Sequence, residues 1–404
     1  MNNITKLLDT LRSRNAFAHY YESGGSPADI KTHVVDTLHP FFVNQRNLEN
    51  HAIEFLVPDF INLNLVQAKY GGVDRDINLV LDTYRAALLV DRIGFFYAIK
   101  QMVPDIIEAG NRFWSFLNLE KDKATLELYE FAKEAFGNIS DIVEGLMKAH
   151  LIEHVIANRI VRGKAFEVQD LKTRRLGVLV DELLIHSQYA NLFKTHPEAL
   201  PLSEWRNIAA HQSYSISGSA IVCQYGSPKK PKSLSFTRLE LYDRLSQIMR
   251  TLEVLNLAHK FFSFDNSNDI ALKPDEHVGG SEGRDEIWLL FFVTGLNSMG
   301  FDVNHFQFDQ NLDALLVVRD LTERDPNQRA IHSSQFIYPV WLFTRSKNIT
   351  VEYRLRSDRR YMISRSTADV CVPISEGRQG IEHLANNVMF EFVQDSHQDV
   401  GPDR

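Results

Sequence analysis

The stretch Ile77-Asn78-Leu79-Val80-Leu81-Asp82-Thr83-Tyr84-Arg85-Ala86-Ala87-Leu88-Leu89 decides how residues 1 to about 264 read. Ile77, Val80, Leu81, Tyr84, Leu88 and Leu89 recur at the i, i+3, i+4, i+7 spacing of one helix face. A turn-like YGGVD at 70–74 precedes the run, and few prolines interrupt it. Similar apolar stripes occupy roughly 120–136, 139–162 and 170–194. So many apolar stripes predict a helical bundle in which they bury one another. Nearer the amino terminus, Ile4, Leu7, Leu8 and Leu11 keep helical spacing until GGSP at 24–27. There Ser26 and Pro27 read as the N-cap and first-turn proline of a second helix.

Downstream the texture changes. Ser203 is expected to cap a short helix, SEWRNIAAHQSY, which ISG at 216–218 ends. AIVCQY, the turn-like GSPKKPK and SLSF predict a small hairpin. Thr237 and Glu240 have capping-box spacing and open a helix through about 262. The polar segment 265–285 reads as a linker or mobile loop. Beyond it come a helix near 286–299 and short strands at LLVV (315–318), YPVWLF (338–343) and ITVEYRL (349–355). The expected organisation is an N-terminal helical segment (1–74), a helical domain (75–264), the linker (265–285) and a C-terminal domain (286–404). The expected class is α+β: a mainly α-helical bundle with a small β-hairpin, followed by a smaller C-terminal α/β domain.

Composition narrows the function classes. The 404 residues suit two to three domains of roughly 100–200 residues each. Lys plus Arg total 44 against 52 Asp plus Glu, a net charge of −8, so the chain is not a basic coat for nucleic acid. Any RNA contact must be a local patch. Two cysteines, Cys223 and Cys371, build neither a disulfide framework nor a four-thiolate zinc site. The start, MNNITKLLDTLRSRN, lacks the apolar core of a signal peptide, and no stretch is apolar enough to span a membrane. The expectation is a soluble, cytoplasmic protein. Neither a dinucleotide-binding G-x-G-x-x-G nor a P-loop occurs.

The chemistry concentrates in Arg206-Asn207-Ile208-Ala209-Ala210-His211. On a helix, Asn207 and His211 share a face, with Arg206 beside its upper end. An imidazole exchanges a proton near neutral pH. A guanidinium holds a phosphate bidentately and stays charged. Together they suit attack of an RNA 2′-hydroxyl on its own phosphodiester, with Asn207 orienting the ring or the phosphate. Neither a cofactor nor a metal is assigned to this chemistry. Arg-x-x-x-x-His arises about once by chance in such a chain, and about 0.06 times once Asn must follow the Arg. A second copy nonetheless exists: Arg14-Asn15-Ala16-Phe17-Ala18-His19.

LGVLVDELL (176–184), a loop and WRNIAAH (205–211) resemble the HEPN superfamily, helical domains in which an Arg precedes a His by a few residues. A polar residue, often Asn, commonly follows that Arg, as Asn207 does here. The resemblance spans about residues 75–264, is specific at the hexapeptide and leaves 286–404 outside. It implies a metal-independent endoribonuclease acting in a toxin or anti-phage defence system. Arg206, Asn207 and His211 would then be catalytic, and two motifs would meet across a homodimer or within a pseudo-dimer that uses Arg14, Asn15 and His19. RNA is the implied substrate, and an antitoxin or other regulatory protein the implied partner. Family members without activity bind RNA or protein, and that reading stays open.

Other constellations compete. His150-Leu151-Ile152-Glu153-His154 spells H-x-x-E-H, in which two histidines bind zinc and a glutamate serves as base of a hydrolase. It also reads as an amphipathic helix whose histidines flank the core. Asp313 with Glu352-Tyr353-Arg354 resembles the Asp and Glu-x-Lys of restriction-nuclease-like folds, with Arg in place of Lys. Arg354, Arg356, Arg359, Arg360 and Arg365, interleaved with Tyr353 and Tyr361, read either as an RNA-binding strand or as a solvated face. Two lysine-bearing clusters, 172–175 and Lys229-Lys230-Pro231-Lys232, lie nearer the hexapeptide. The second is the expected hairpin tip and a candidate grip on the RNA backbone.

Overall fold

The structure is a computed structural model that describes residues 7–8, 10, 15, 17–119, 126–227, 229–270, 284–309 and 312–393. Of the expected linker, 271–283 lies outside the described residues, as does Arg14 of the second hexapeptide. Helix α1 (Pro27–Leu38) starts where the sequence places it. Ser26 Oγ accepts from Asp29 N–H while the Asp29 carboxylate accepts from Ser26 N–H. That reciprocal pair satisfies donors at the helix start. Helices α2 (Gln45–Phe55), α3 (Val57–Lys69) and the 47-residue α4 (Val73–Leu119) follow. Helix α5 (Leu128–Ser140) passes through a π-helical segment, Asp141–Met147, into α6 (Lys148–Val161). Next come α7 (Leu176–Leu184), α8 (Leu202–Ala210), strands β1 (Tyr214–Ser217), β2 (Ala220–Ser227) and β3 (Lys230–Phe236), and α9 (Arg238–Asp265).

Two compact units divide the chain: Met1–Thr37 with Glu49–Phe60 and Asp285–Arg404, and Leu38–Leu48 with Ile61–Arg284. In the second, helical unit, α4 packs along α6 and α9. Ile77, Val80, Leu81 and Tyr84 are buried as their spacing predicts, and Tyr84, Phe95 and Phe262 meet at ring distances of 5.2–5.6 Å. The stripe breaks at Leu89, which is 89% exposed. Asp91 leaves helical geometry and its carboxylate accepts from Gly94 N–H, capping a fresh start inside α4. The apolar face is re-phased there. The expected capping box is present: Thr237 Oγ1 accepts from Glu240 N–H, and Glu240 accepts from Thr237 N–H. The hairpin is real but has a third strand, giving the antiparallel order β1-β2-β3.

The other unit carries α10 (Asp285–Ser298), β4 (Phe301–Phe308), β5 (Asp313–Asp320), α11 (Pro326–Ser334), α12 (Ile337–Thr344), β6 (Asn348–Arg354), β7 (Arg360–Thr367), α13 (Ala368–Ser375) and β8 (Met389–Phe392). Its sheet runs β8-β7-β6-β5-β4, with β5 and β6 parallel and the remaining pairs antiparallel. The N-terminal residues belong here because they supply core. Leu8 belongs to the same buried core as Phe301, Leu316 and Trp341, and Tyr21 Oη donates to the Ser298 carbonyl at 2.5 Å. Residues 1–74 are therefore shared between the two units instead of forming one segment.

Three local expectations are corrected. YPVWLF is not a strand but the body of α12. Its buried residues, Ile337, Val340, Trp341 and Thr344, fall at i, i+3, i+4 and i+7, a helical period that a short apolar run hides. Ser203 does not cap α8: the cap residue is Pro201 and Ser203 is buried inside the helix, which ends at Ala210. The arginine run does not lie on one strand; Arg354 ends β6, Arg360 starts β7, and 355–359 form the turn between. The whole is α+β. No helix among the described residues is long and apolar enough to cross a membrane.

Candidate functional site

Helix α8 is held from beneath. Trp205, Ile208 and Ala209 are buried, and Trp205 Nε1 donates to Thr195 Oγ1 at 2.8 Å. The indole lies against Phe136 of α5 and Phe236 of β3. With that face spent on packing, Arg206, Asn207, Ala210 and His211 fall on the outer face, where Ala210 and His211 are exposed. The helix stops in a Schellman arrangement: Ser213 N–H donates to the Ile208 carbonyl and Gln212 N–H to that of Ala209. Gln212 sits at φ 50°, a left-handed position normally left to glycine. His211 is the cap residue of this turn, so its backbone is fixed while its ring faces solvent.

Arg206 does not dangle. Its Nε donates to Glu144 Oε1 at 2.5 Å and its Nη1 to Asn207 Oδ1 at 3.4 Å. Asn207 thus orients the guanidinium, where the sequence left open whether it orients the ring or the phosphate. Glu144 lies in the π-helical segment, whose wider turn re-aims side chains relative to a regular helix. Both partners are partly exposed, 31% and 40%, so the ion pair contributes at most about 1 kcal/mol. A phosphate presenting two charged oxygens can displace it. Sequence reasoning missed Glu144, because no spacing rule links it to a residue 62 positions away.

The lysine cluster borders the same helix. Gly226 N–H of β2 donates to Glu204 Oε2 of α8, and Lys229, Lys230 and Lys232 are exposed around the following turn. Lys232 Nζ lies 5.8 Å from the Tyr225 ring. The lysine-bearing hairpin is thus tied to α8 through Glu204, two residues before Arg206.

Of the second hexapeptide, Asn15, Phe17, Ala18 and His19 are described, while Arg14 and Ala16 lie outside the described residues. Asn15 Oδ1 accepts from Phe17 N–H in a local turn, and a five-residue helix, Ala18–Glu22, begins only afterwards. His19 is 92% exposed beside Glu22. His19 thus lies in the first turn of a short helix, whereas His211 follows the last residue of α8.

The H-x-x-E-H does not converge as spelled. His154 sits edge-on to Tyr189 at 4.8 Å and near Tyr84 and Phe193, inside the core. Burial lowers its pKa to about 3 and holds that of His150 well below its ordinary value, with His259 and Lys260 adding to the effect on His150. His150 and Glu153 instead face His259 of α9, a residue the sequence gave no reason to single out.

In the sheet unit, Asp313 and Glu352 are not brought together. Asp313 pairs with Asn348 and Glu352 with Val317 in the parallel register, a four-residue offset of roughly 13 Å. Glu352 is buried and holds Arg354 at 2.7 Å and Arg360 at 2.8 Å. Arg356 pairs with Glu323, and Arg365 with Glu391. Arg354 and Arg356, expected as RNA contacts, already have carboxylate partners, so this arginine run is largely charge-compensated. No family model, no curated protein and no solved structure matches the chain.

Proposed function

We propose that this protein is a metal-independent endoribonuclease of HEPN type, working in the cytoplasm as a toxin or anti-phage defence effector. What carries the reading is the outer face of α8, where Arg206, Asn207 and His211 stand on a helix anchored by Trp205. In the reaction, His211 takes the proton of an RNA 2′-hydroxyl, whose oxygen attacks the adjacent phosphorus. Arg206 leaves Glu144 to hold the developing phosphate charge. The P–O5′ bond breaks, leaving a 2′,3′-cyclic phosphate and a 5′-hydroxyl, which needs a second proton donor. A second copy of the chain, meeting the first about a two-fold axis, supplies that donor and a second guanidinium. Lys229, Lys230 and Lys232 would hold the RNA backbone, and an antitoxin or other regulatory protein would restrain the activity.

The test is cleavage of RNA by purified protein, with product ends determined. Because proton transfer of this kind is typically worth 10²–10⁴-fold, His211→Ala should lower the rate by that order while leaving the fold intact. Arg206→Ala should also remove most activity. Full activity in His211→Ala sinks the reading.

A second reading, a non-catalytic module that binds RNA or protein, is favoured by one observation: Glu144 already neutralises Arg206. RNA binding that Glu144→Gln strengthens, with no cleavage under any condition, would select it.

A further inference from the structure

We infer that His150, Glu153 and His259 form a buried binding site for one divalent transition-metal ion, zinc above all, which clips α6 to α9 inside the helical unit. The site is separate from α8 and goes beyond the ribonuclease reading, which does not use it. His150 and Glu153 lie one turn apart on α6, and His259 comes from α9. Their side chains are 4%, 1% and 13% exposed. His259 Nδ1 is 2.9 Å and His150 Nδ1 4.0 Å from Glu153 Oε2, and the three ligand atoms all lie within 4.8 Å of one another. Tetrahedral zinc with bonds near 2.0–2.1 Å spaces its ligand atoms by roughly 3.4 Å, a distance these separations bracket. The two rings meet edge-on, with centroids 5.5 Å apart.

The second observation is what the cluster leaves unsatisfied. His150 Nδ1 and Glu153 Oε1 are buried without a hydrogen-bond partner. So is the hydroxyl of Tyr84, which lies within the field of Glu153. Buried polar atoms are ordinarily paired, because leaving one unpaired costs its desolvation with no return. A cation bound to His150 Nδ1, His259 Nδ1 and the Glu153 carboxylate takes up the unpaired His150 nitrogen and Glu153 Oε1, in place of the 2.9 Å hydrogen bond between His259 Nδ1 and Glu153 Oε2. Two imidazoles and a carboxylate are also a donor set that zinc takes in proteins, and that iron(II) and manganese(II) accept. The nearby Lys260 charge opposes the cation, and the carboxylate of Glu153 offsets it.

This ligand set differs from the one that H-x-x-E-H spells. Glu153 is a ligand rather than a base, and His259 replaces His154, whose ring is walled in by Tyr189 and Tyr84. With His150 and Glu153 buried and His259 only 13% exposed, the ion would sit between α6 and α9, joining the two helices.

The experiment uses the full chain, stripped with chelator and titrated with zinc(II), and with cobalt(II) as a spectroscopic substitute. One saturable equivalent per chain, a thermal midpoint raised by zinc and visible cobalt bands of nitrogen and oxygen ligation are expected. His259→Gln, at the most exposed ligand, should weaken zinc by more than the roughly 10–100-fold that loss of an outer-shell partner costs. His154→Gln should bind as wild type does. Absence of saturable binding in the wild type overturns the inference. So does a thiolate charge-transfer band, which would move the ion to Cys223 or Cys371, or undiminished binding in folded His259→Gln. If that variant fails to fold, the wild-type stoichiometry and spectrum decide alone.

Discussion

At position 205 a fully buried indole donates to Thr195 and lies against Phe136 and Phe236, which fixes the rotation of α8 about its own axis. Replacing it tests whether the outer face depends on the inner one. Trp205→Ala should cost about 3–5 kcal/mol in urea denaturation, more than any substitution on the outer face. A second residue-scale prediction concerns pH. Burial, with Arg329 beside it, lowers the pKa of His332 to about 4, and its ring packs against Phe301 and Phe336. In the unfolded chain the same imidazole takes a proton near pH 6.5. Between about pH 6.5 and 4 the unfolded state therefore holds more protons, and stability falls as pH drops through that window. The slope from this one group stays below about 1.4 kcal/mol per pH unit. Thermal melts of His332→Leu between pH 7 and 4.5 should show a shallower decline than wild type, and an identical decline would refute the assignment.

Helix termini carry the clearest element-scale logic. Thr237 and Glu240 satisfy each other's backbone donors at the start of α9, the helix that also brings His259 into the core. Thr237→Ala should lower stability by about 0.5–2 kcal/mol, seen as a lower urea midpoint at unchanged m. The break at Asp91 follows the same rule inside α4, since a carboxylate that caps Gly94 restarts the helix. No spacing rule announced it, because Asp at that position reads equally well as a solvated helix residue. The π-helical segment was equally hidden. Its apolar positions Ile142, Val143, Leu146 and Met147 are all buried, and they fit a regular helical stripe just as well.

For the whole molecule, the proposed ribonuclease is complete only when two α8 faces meet, since one histidine cannot both take and return the proton in one step. Co-expressed His211→Ala should therefore reduce wild-type activity dominantly, while His19→Ala, off any matching helix, should be nearly silent. Light scattering that reports a monomer at working concentration, together with recessive His211→Ala, would count against the homodimer.

The helical stripe at 77–84, the Ser26-Pro27 start, the Thr237 box and the β2–β3 hairpin were legible from sequence, because each depends on neighbours within a few residues. So was a short helix carrying Arg206 and Asn207, although it stops at Ala210 and leaves His211 as its cap residue. The rest depends on partners far along the chain. Leu8 joins a core built mostly after residue 285, and Tyr21 donates to the carbonyl of Ser298, 277 residues on. Glu144 reaches Arg206 across 62 residues, and His259 reaches Glu153 across 106. YPVWLF became a helix because the sheet offered its i, i+3, i+4 face a place to pack, not because of its own letters. Local periodicity and capping determine which helices and turns can form. Which polar atoms end up facing one another in the interior is settled only when the helices pack, since desolvation charges each buried group for the partner it finds or lacks.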